Sequence, residues 1–248
     1  MYLSRLILNP RNRNVRRDLA DCYGMHRTLM KVFPQMPAKD KGARSACGLL
    51  FRVEYDRLTG MPVIYAHSKL EPDWACLPGG YLVSDGSGRK NPACKDVRDA
   101  YSAIREGQKL VFTLTANPTR KTGTLLKSER LAGVRKSNGR RVYISDPEEQ
   151  LEWLRRKAEQ HGFEIVSVNS DSRILDATAD REVTMRGWKN VNNSGERVTL
   201  TLRGCTFRGR LQVTNNPRFL DAIANGIGSG KAYGFGMLSV APIRAFHT

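Results

Sequence analysis

The chain has 248 residues, of which 40% are apolar and 26% charged, so it can form one large domain or two smaller ones. Lysine and arginine total 41 against 24 acidic residues, which gives a formal net charge of +17. A chain this basic is expected to bind a polyanion, because its cations gain affinity by releasing the counterions condensed on a phosphate backbone. A basic surface kept only for solubility is the alternative.

Several classes of protein are disfavoured by simple patterns. No run of about 18 apolar residues occurs, which argues against a membrane-spanning helix. The first residues do not resemble a signal peptide, because the charges follow the short apolar stretch. The five cysteines form no C-x-x-C pair and the four histidines no H-x-x-x-H pair, so we expect no metal site and no disulfide framework. A cytoplasmic protein without a metal or small-molecule cofactor is therefore expected.

Hydrophobic periodicity in the first part of the chain predicts strands and one amphipathic helix. Asp21 is a suitable N-cap for that helix, whose apolar face starts at Met25 and continues at i+4, i+7 and i+8 until Pro34 ends it. In chain order we predict a strand at 2–8, a basic loop at 11–17, the helix, a hairpin of strands at 49–55 and 62–67, a short helical turn at 71–77 and a strand at 79–83.

A Gly-, Pro- and charge-rich stretch at 84–107 predicts a domain boundary, with an N-terminal domain at 1–100 and a C-terminal domain at 107–248. Asp146 and Pro147 predict the start of a helix that Gly162 ends. The other predicted elements are strands at 109–116, 163–168, 182–186, 198–202 and 205–213, a basic loop at 117–141, a helix at 217–224, a glycine-rich loop at 226–236 and a last strand at 235–240.

The order of elements predicts the fold class. Each half runs strand, helix, strand, strand, optional helix, strand, which is the ferredoxin-like βαββαβ order. We therefore predict an α+β protein of two tandem ferredoxin-like, RRM-like domains. The first would carry the helix after Asp21, and the second a basic hairpin and the glycine-rich loop.

Tyr23 and His26 are the candidate proton-transfer residues. They lie three positions apart on the predicted helix, about 5–6 Å apart at their Cβ atoms. Histidine can donate or accept a proton near neutral pH, and a tyrosine hydroxyl can orient a reacting group. RNA carries its own nucleophile, the 2′-hydroxyl, so its cleavage needs no metal. Two residues at the edge of an apolar helix face are the alternative, since the spacing alone is a weak pattern.

Cations near these residues could neutralise a phosphate. Arg27 and Lys31 follow on the same helix, although Lys31 lies about 140° around the helix from His26. The loop at 226–236 holds five glycines and Lys231, which would let backbone N–H groups approach an anion. A tight turn before the last strand is the alternative.

Three basic segments, at 11–17, 120–141 and 181–189, could line one groove for the phosphates of an A-form RNA stem. Trp188 could stack on a base or plug a hairpin. No paired-carboxylate nuclease site is visible. The candidate RNA-binding residues are Arg27, Arg120, Lys121, Arg186, Lys189, Lys231, Gly228 and Gly230.

Six stretches together resemble the CasE family of repeat-processing endoribonucleases of type I-E CRISPR systems, within the RAMP superfamily. They span both ends and most of the length, and each is weakly specific alone. They are MYLSRLILNP at 1–10, RRDLADCYGMHRTL at 16–29, EPDW at 71–74, FTLTANPTR at 112–120, EEQLEWLRRKAEQHGF at 148–163 and GIGSGKAYGFGMLSVAP at 226–242.

The resemblance implies two tandem ferredoxin-like domains and metal-independent cleavage on the 3′ side of a CRISPR repeat stem-loop. Attack by the 2′-hydroxyl would leave a 2′,3′-cyclic phosphate, or 3′-phosphate, and a 5′-hydroxyl. The enzyme would stay bound to its product and join the other Cascade subunits. A non-catalytic RAMP-type subunit that only holds guide RNA is the alternative, and a general basic RNA-binding protein is a weaker one.

The resemblance also implies roles for individual residues. It makes His26 and Tyr23 catalytic, whereas Lys31 is carried over from only some members of the family. Arg186 and Lys189 fall where relatives present a basic hairpin to the RNA stem. In this sequence Gly187 and Trp188 interrupt the run of basic residues. The insert at 84–107 is a second departure, since some relatives are shorter.

Overall fold

The computed structural model of the chain describes residues 1–34, 46–84, 90–122, 140–169, 174–190 and 197–243. The strands are β1 (Tyr2–Ile7), β2 (Leu50–Tyr55), β3 (Pro62–Ser68), β4 (Ala93–Asp96), β5 (Lys109–Ala116), β6 (Thr119–Thr122), β7 (Arg140–Tyr143), β8 (Phe163–Ile165), β9 (Ala177–Asn190), β10 (Arg197–Val213) and β11 (Leu238–Pro242). The helices are α1 (Arg13–Ala20), α2 (Cys22–Met30), α3 (Arg98–Ser102), α4 (Pro147–Gln160) and α5 (Asn216–Asn225), with 3-10 turns at Trp74–Cys76 and Lys231–Tyr233.

The first sheet has the strand order β2-β3-β1-β4, and every neighbouring pair is antiparallel. Helices α1 and α2 connect β1 to β2, and a 3-10 turn stands where a second helix would follow β3. This is the ferredoxin-like order with a reduced second helix. Met25 and Leu29 of α2 pack with Leu6, Phe51 and Ile64 of the sheet in one buried cluster.

The second sheet repeats this order as β11-β5-β10-β8. Helix α4 lies between β5 and β8 in the chain, and α5 lies between β10 and β11. Strands β8 and β9 follow each other along the same edge of β10, β8 opposite Leu211–Val213 and β9 opposite residues 197–209. The long β9–β10 hairpin thus extends beyond the sheet. The predicted α+β class with two tandem ferredoxin-like units is confirmed.

Four predicted elements were wrong or incomplete. Part of the predicted basic loop at 11–17 is α1, whose start is capped by the Asn12 side chain. Residues 79–83 form no strand, only a bridge between Leu82 and Leu8, and the fourth strand is instead β4 in the predicted linker. The predicted loop at 117–141 contains β6 and the first two residues of β7, which pair, while 123–139 lie outside the described residues. Strand β10 is continuous where two strands were predicted.

The proposed domain limits at 100 and 107 stay a prediction. The first sheet ends with Asp96 and the second begins with Lys109. Val97, Tyr101 and Ile104 already pack in the buried cluster of the second half. In the described ranges, no helix is long and apolar enough to cross a membrane.

Candidate functional site

Helix α2 places His26 at the edge of the first core. Asp21 caps the helix, because its Oδ1 accepts a hydrogen bond from the Tyr23 backbone N–H at 3.1 Å. His26 is only 4% exposed, and its ring is stacked with that of Phe51 at 6.3 Å between centroids. The helix therefore holds the imidazole in a fixed orientation against the sheet.

A pocket of about 330 Å³ opens beside His26, between α2 and the glycine-rich loop. Its walls include His26, Met30, Leu50, Asn225 and Lys231. The structure thus brings together His26 and Lys231, two residues from opposite ends of the chain, in the wall of one pocket. A proton-transfer group and a cation that share a pocket can act on one bound phosphate.

The surroundings of Lys231 change the pKa of its ammonium group. Burial lowers the pKa of Lys231, and the positive charge of Lys157 acts in the same direction, while Asp221 opposes both. Burial also lowers the pKa of His161, and the positive charges of Lys157 and Lys231 lower it further. Sequence reasoning missed His161, Lys157 and Asp221, since no spacing links them to the loop.

Asn225, which lines the pocket, was also missed by sequence reasoning. Its Oδ1 accepts a hydrogen bond from Lys69 Nζ at 2.7 Å, and its Nδ2 donates to Asp221 Oδ1 at 2.6 Å. Lys69 follows β3 of the first sheet and Asn225 ends α5 of the second half. The bond from Lys69 therefore joins the two halves at the pocket wall, and the bond to Asp221 holds the Asn225 side chain against its own helix.

The other candidates on α2 do not line this pocket. Tyr23 is half-buried, and the guanidinium of Arg27 lies over its ring at 5.3 Å from the centroid. Lys31 is the exposed C-cap of the helix. Neither the predicted role of Tyr23 nor that of Lys31 is tested by this arrangement.

The glycines of the loop have a structural explanation. Gly228 and Gly230 have φ values of 84° and 76°, which disfavour any residue with a side chain. A Cβ would lie 3.3 Å from the Trp153 ring at Gly228 and 2.9 Å from Phe235 at Gly230. The tight-turn alternative accounts for both positions, and contact with an anion stays a prediction.

Apart from Arg27 on α2, the predicted RNA-binding cations outside the pocket fall into two groups. Arg120 and Lys121 lie on β6, and Arg120 is bound by Glu149 through hydrogen bonds of 3.0 and 2.7 Å. Arg186 is exposed on β9 opposite Thr201. Lys189 pairs through its backbone with Val198, and its side chain lies outside the described residues.

The β9–β10 hairpin reaches from the second sheet to the first turn of α2. The Trp188 backbone N–H donates to Asp21 Oδ1 at 3.3 Å, and Gly187 lies directly against Cys22. The Trp188 side chain is 41% exposed. Within the described ranges, no group of three or more His, Cys, Asp or Glu side chains is placed to hold a metal ion.

Comparison with known proteins finds a family over nearly the whole chain. A family model described as "CRISPR associated protein" matches residues 1–242. The CRISPR-associated endoribonuclease Cse3 of Thermus thermophilus is 34% identical over 242 residues, which is 98% of this chain and all of the relative. The Cascade subunit CasE of Escherichia coli is 24% identical over 98% of this chain and all of the relative.

A solved structure extends the likeness to three dimensions. The structure of Thermus thermophilus Cse3 bound to an RNA representing a pre-cleavage complex has a TM-score of 0.71 at 31% identity. The match covers 97% of this chain and 98% of that one. The likeness therefore includes both sheets.

Proposed function

This chain belongs to the CRISPR-associated protein family, and we propose that it is an endoribonuclease that cuts CRISPR repeat hairpins in precursor RNA and keeps the mature guide RNA bound. The relative at 34% identity is named an endoribonuclease, and its solved complex contains RNA, which supports both parts of the proposal. The formal charge of +17 suits a phosphate backbone.

The proposed reaction is metal-independent transesterification. The 2′-hydroxyl oxygen attacks the adjacent phosphorus, the bond from phosphorus to the 5′-oxygen breaks, and a 2′,3′-cyclic phosphate and a 5′-hydroxyl form. One proton leaves the 2′-hydroxyl and one joins the 5′-oxygen. His26 would accept the first, donate the second, or do both, while Lys231 would stabilise the charge that develops on the phosphate. Tyr23 and Lys31 are proposed to assist.

One observation carries this proposal: His26 and Lys231 line the same pocket although they are far apart in sequence. Arg27, Arg120, Lys121, Arg186 and Lys189 are proposed to hold the RNA stem, with Gly228 and Gly230 shaping the loop. The proposed partners are the repeat stem-loop RNA and other Cascade subunits, because the Escherichia coli relative is named a Cascade subunit. No small-molecule cofactor takes part, and the cytoplasm is the proposed setting.

The variant His26→Ala tests the mechanism. We expect its single-turnover cleavage of a repeat hairpin to fall by about 10²–10⁴-fold, the usual contribution of a positioned acid or base. Its Kd for the same hairpin should change little, because the imidazole is only 4% exposed. The wild-type rate should be unaffected by EDTA.

Unfolding midpoints of both proteins serve as the control for folding. If the His26→Ala variant cleaves the hairpin at the wild-type rate, His26 has no part in the mechanism. A strict requirement for magnesium would overturn metal-independent cleavage while leaving the assignment as a nuclease intact.

The burial of His26 also favours a second candidate, a RAMP-type subunit that binds guide RNA without cutting it. A histidine stacked with Phe51 at the edge of a core can be purely structural. This candidate predicts that the wild-type protein binds the hairpin tightly and leaves it intact over long incubation.

A further inference from the structure

A single carboxylate joins helix α2 to the β9–β10 hairpin. Asp21 Oδ1 accepts hydrogen bonds from the backbone N–H of Tyr23 at 3.1 Å and of Trp188 at 3.3 Å. The first bond is an ordinary N-cap. The second is not needed to start a helix, and it connects segments that are distant in the chain.

Gly187 makes the contact between strand and helix possible. A Cβ at this position would lie 3.0 Å from both Asp21 Oδ1 and Cys22 Sγ, and 3.3 Å from the Tyr23 backbone nitrogen. Unlike Gly228, Gly187 does not have a positive φ, so its backbone conformation is open to any residue. The close approach of α2, and not the conformation of the strand, therefore favours glycine here.

The two neighbours of Gly187 on β9, Arg186 and Trp188, face the solvent. Side chains alternate along a strand, so Arg186 and Trp188 point away from α2 where Gly187 points towards it. Both outward side chains are exposed, and Arg186 forms no ion pair with any described residue. A cation that no described carboxylate neutralises, beside an exposed indole, suits a phosphate and its neighbouring base.

We propose that Asp21, Gly187 and Trp188 form a clasp that transmits RNA binding on the outer face of the hairpin to helix α2. This inference rests on the proposed function. RNA held by the outer face fixes the hairpin, and the clasp fixes the first turn of α2, which sets the position of His26 within its pocket. Asp21 and Gly187 are thus positioning residues, and neither touches the reacting atoms.

The test compares Gly187→Ala, Asp21→Ala and Asp21→Asn in the full chain. A methyl group at 187 would lie 3.0 Å from Asp21 Oδ1 and Cys22 Sγ, so the strand or the first turn of α2 must shift by a few tenths of an ångström. Asp21→Ala removes both hydrogen bonds. We expect the single-turnover rate at saturating protein to fall by at least about tenfold in each of the two alanine variants, since small misplacements are costly in catalysis. The Kd for a repeat hairpin with a 2′-deoxy substitution at the cleavage site should stay near the wild-type value.

Two variants serve as controls. Asp21→Asn keeps an acceptor oxygen and should recover most of the rate. Gly79→Ala is the matched substitution, because a Cβ there has no neighbour within 4 Å and the residue does not have a positive φ. It should leave both the rate and the Kd unchanged.

The outcomes separate the clasp from the proposed function. Wild-type rates in Gly187→Ala and Asp21→Ala, with His26→Ala inactive, would overturn the clasp alone. Loss of affinity that accounts for the whole loss of cleavage would also overturn it, since the residues would then belong only to the binding surface. If Asp21→Ala fails to fold, Gly187→Ala decides, because it keeps the cap. Full cleavage by His26→Ala would instead remove His26 from the proposed mechanism.

Discussion

At the residue scale, the arginines of the second half differ in whether a carboxylate already neutralises them. Arg203 is bound by Glu182 at 2.5 Å, and Arg208 by Asp180 at 2.8 Å, all on the β9–β10 hairpin. Arg186, further along the same hairpin, forms no ion pair with the described residues. An arginine that must first break an ion pair with a carboxylate gains less binding free energy from contact with a phosphate. Among these three arginines, only Arg186, which lies farthest from the root of the hairpin, has no ion pair with a described residue.

This difference predicts unequal contributions to RNA binding. Arg186→Ala should weaken binding of a repeat hairpin and reduce the slope of log K against log salt by about 1, as expected for one lost phosphate contact. The double variant Arg203→Ala/Glu182→Ala removes a neutral pair and should leave the slope unchanged. Fluorescence anisotropy at several salt concentrations measures both. An equal loss of slope in the two proteins would contradict the argument.

At the element scale, α1 shows how a helix can form with few apolar residues. Its buried residues are Val15 and Asp18, and Asp18 accepts a hydrogen bond from the Tyr81 hydroxyl at 3.0 Å. Its start depends on Asn12, whose Oδ1 accepts from the Asn14 backbone N–H at 2.8 Å. The Asn12 amide also donates to the Gly79 carbonyl at 3.0 Å.

Asn12→Ala should lower the free energy of unfolding by about 1 kcal/mol, the usual cost of losing an N-cap. Asn12→Asp keeps the cap but not the amide donor, so it should recover most of that loss. Urea unfolding followed by circular dichroism gives the measurement. An unchanged midpoint in Asn12→Ala would show that α1 is held by other contacts.

The elements that could be predicted were those with a strong local pattern. Helix α4 begins at Asp146 and Pro147 and ends before Gly162 as expected, because caps and breakers are local signals. Helix α1 was missed because its inward face includes a buried carboxylate, and β4 because four residues with two charges do not alternate clearly. Their structure is decided by partners that lie elsewhere in the chain.

The candidate site was predictable only in part, for the same reason. His26 and Lys231 were each singled out, but only the fold shows that they share a pocket. Asn225 and His161 carry no motif, and the link between Asp21 and Trp188 depends on how the hairpin is placed. Local spacing identifies single candidate residues, whereas the tertiary structure decides which of them lie close together.

At the scale of the whole molecule, His67 lies where the two halves meet. It is 1% exposed on β3, its ring is 5.7 Å from that of Tyr101, and neither ring nitrogen has a hydrogen-bond partner among the described residues. Burial lowers the pKa of His67 to about 4, helped by the positive charges of the chain's amino terminus and Lys69. The folded protein therefore holds this histidine neutral.

The protein should lose stability in mild acid. Between the unfolded pKa of about 6.5 and the folded pKa of about 4, the unfolded state binds the proton more tightly, so the free energy of unfolding falls as the pH falls. At pH 5 the loss from this group is about 2 kcal/mol. His67→Phe keeps an aromatic ring against Tyr101 and should remove that part of the difference between pH 7.5 and pH 5 in urea unfolding. Equal pH dependence in both proteins would contradict the assignment.

The pocket between α2 and the glycine-rich loop also has a consequence for synthesis of the chain. The first sheet has all its strands once β4 has left the ribosome, but the pocket wall formed by Lys231 and Asn225 is translated much later. At about 5–20 residues per second, this delay is on the order of ten seconds. A nascent chain therefore carries His26 without the cation that completes its pocket. The pocket is therefore complete only when translation of the chain is nearly finished.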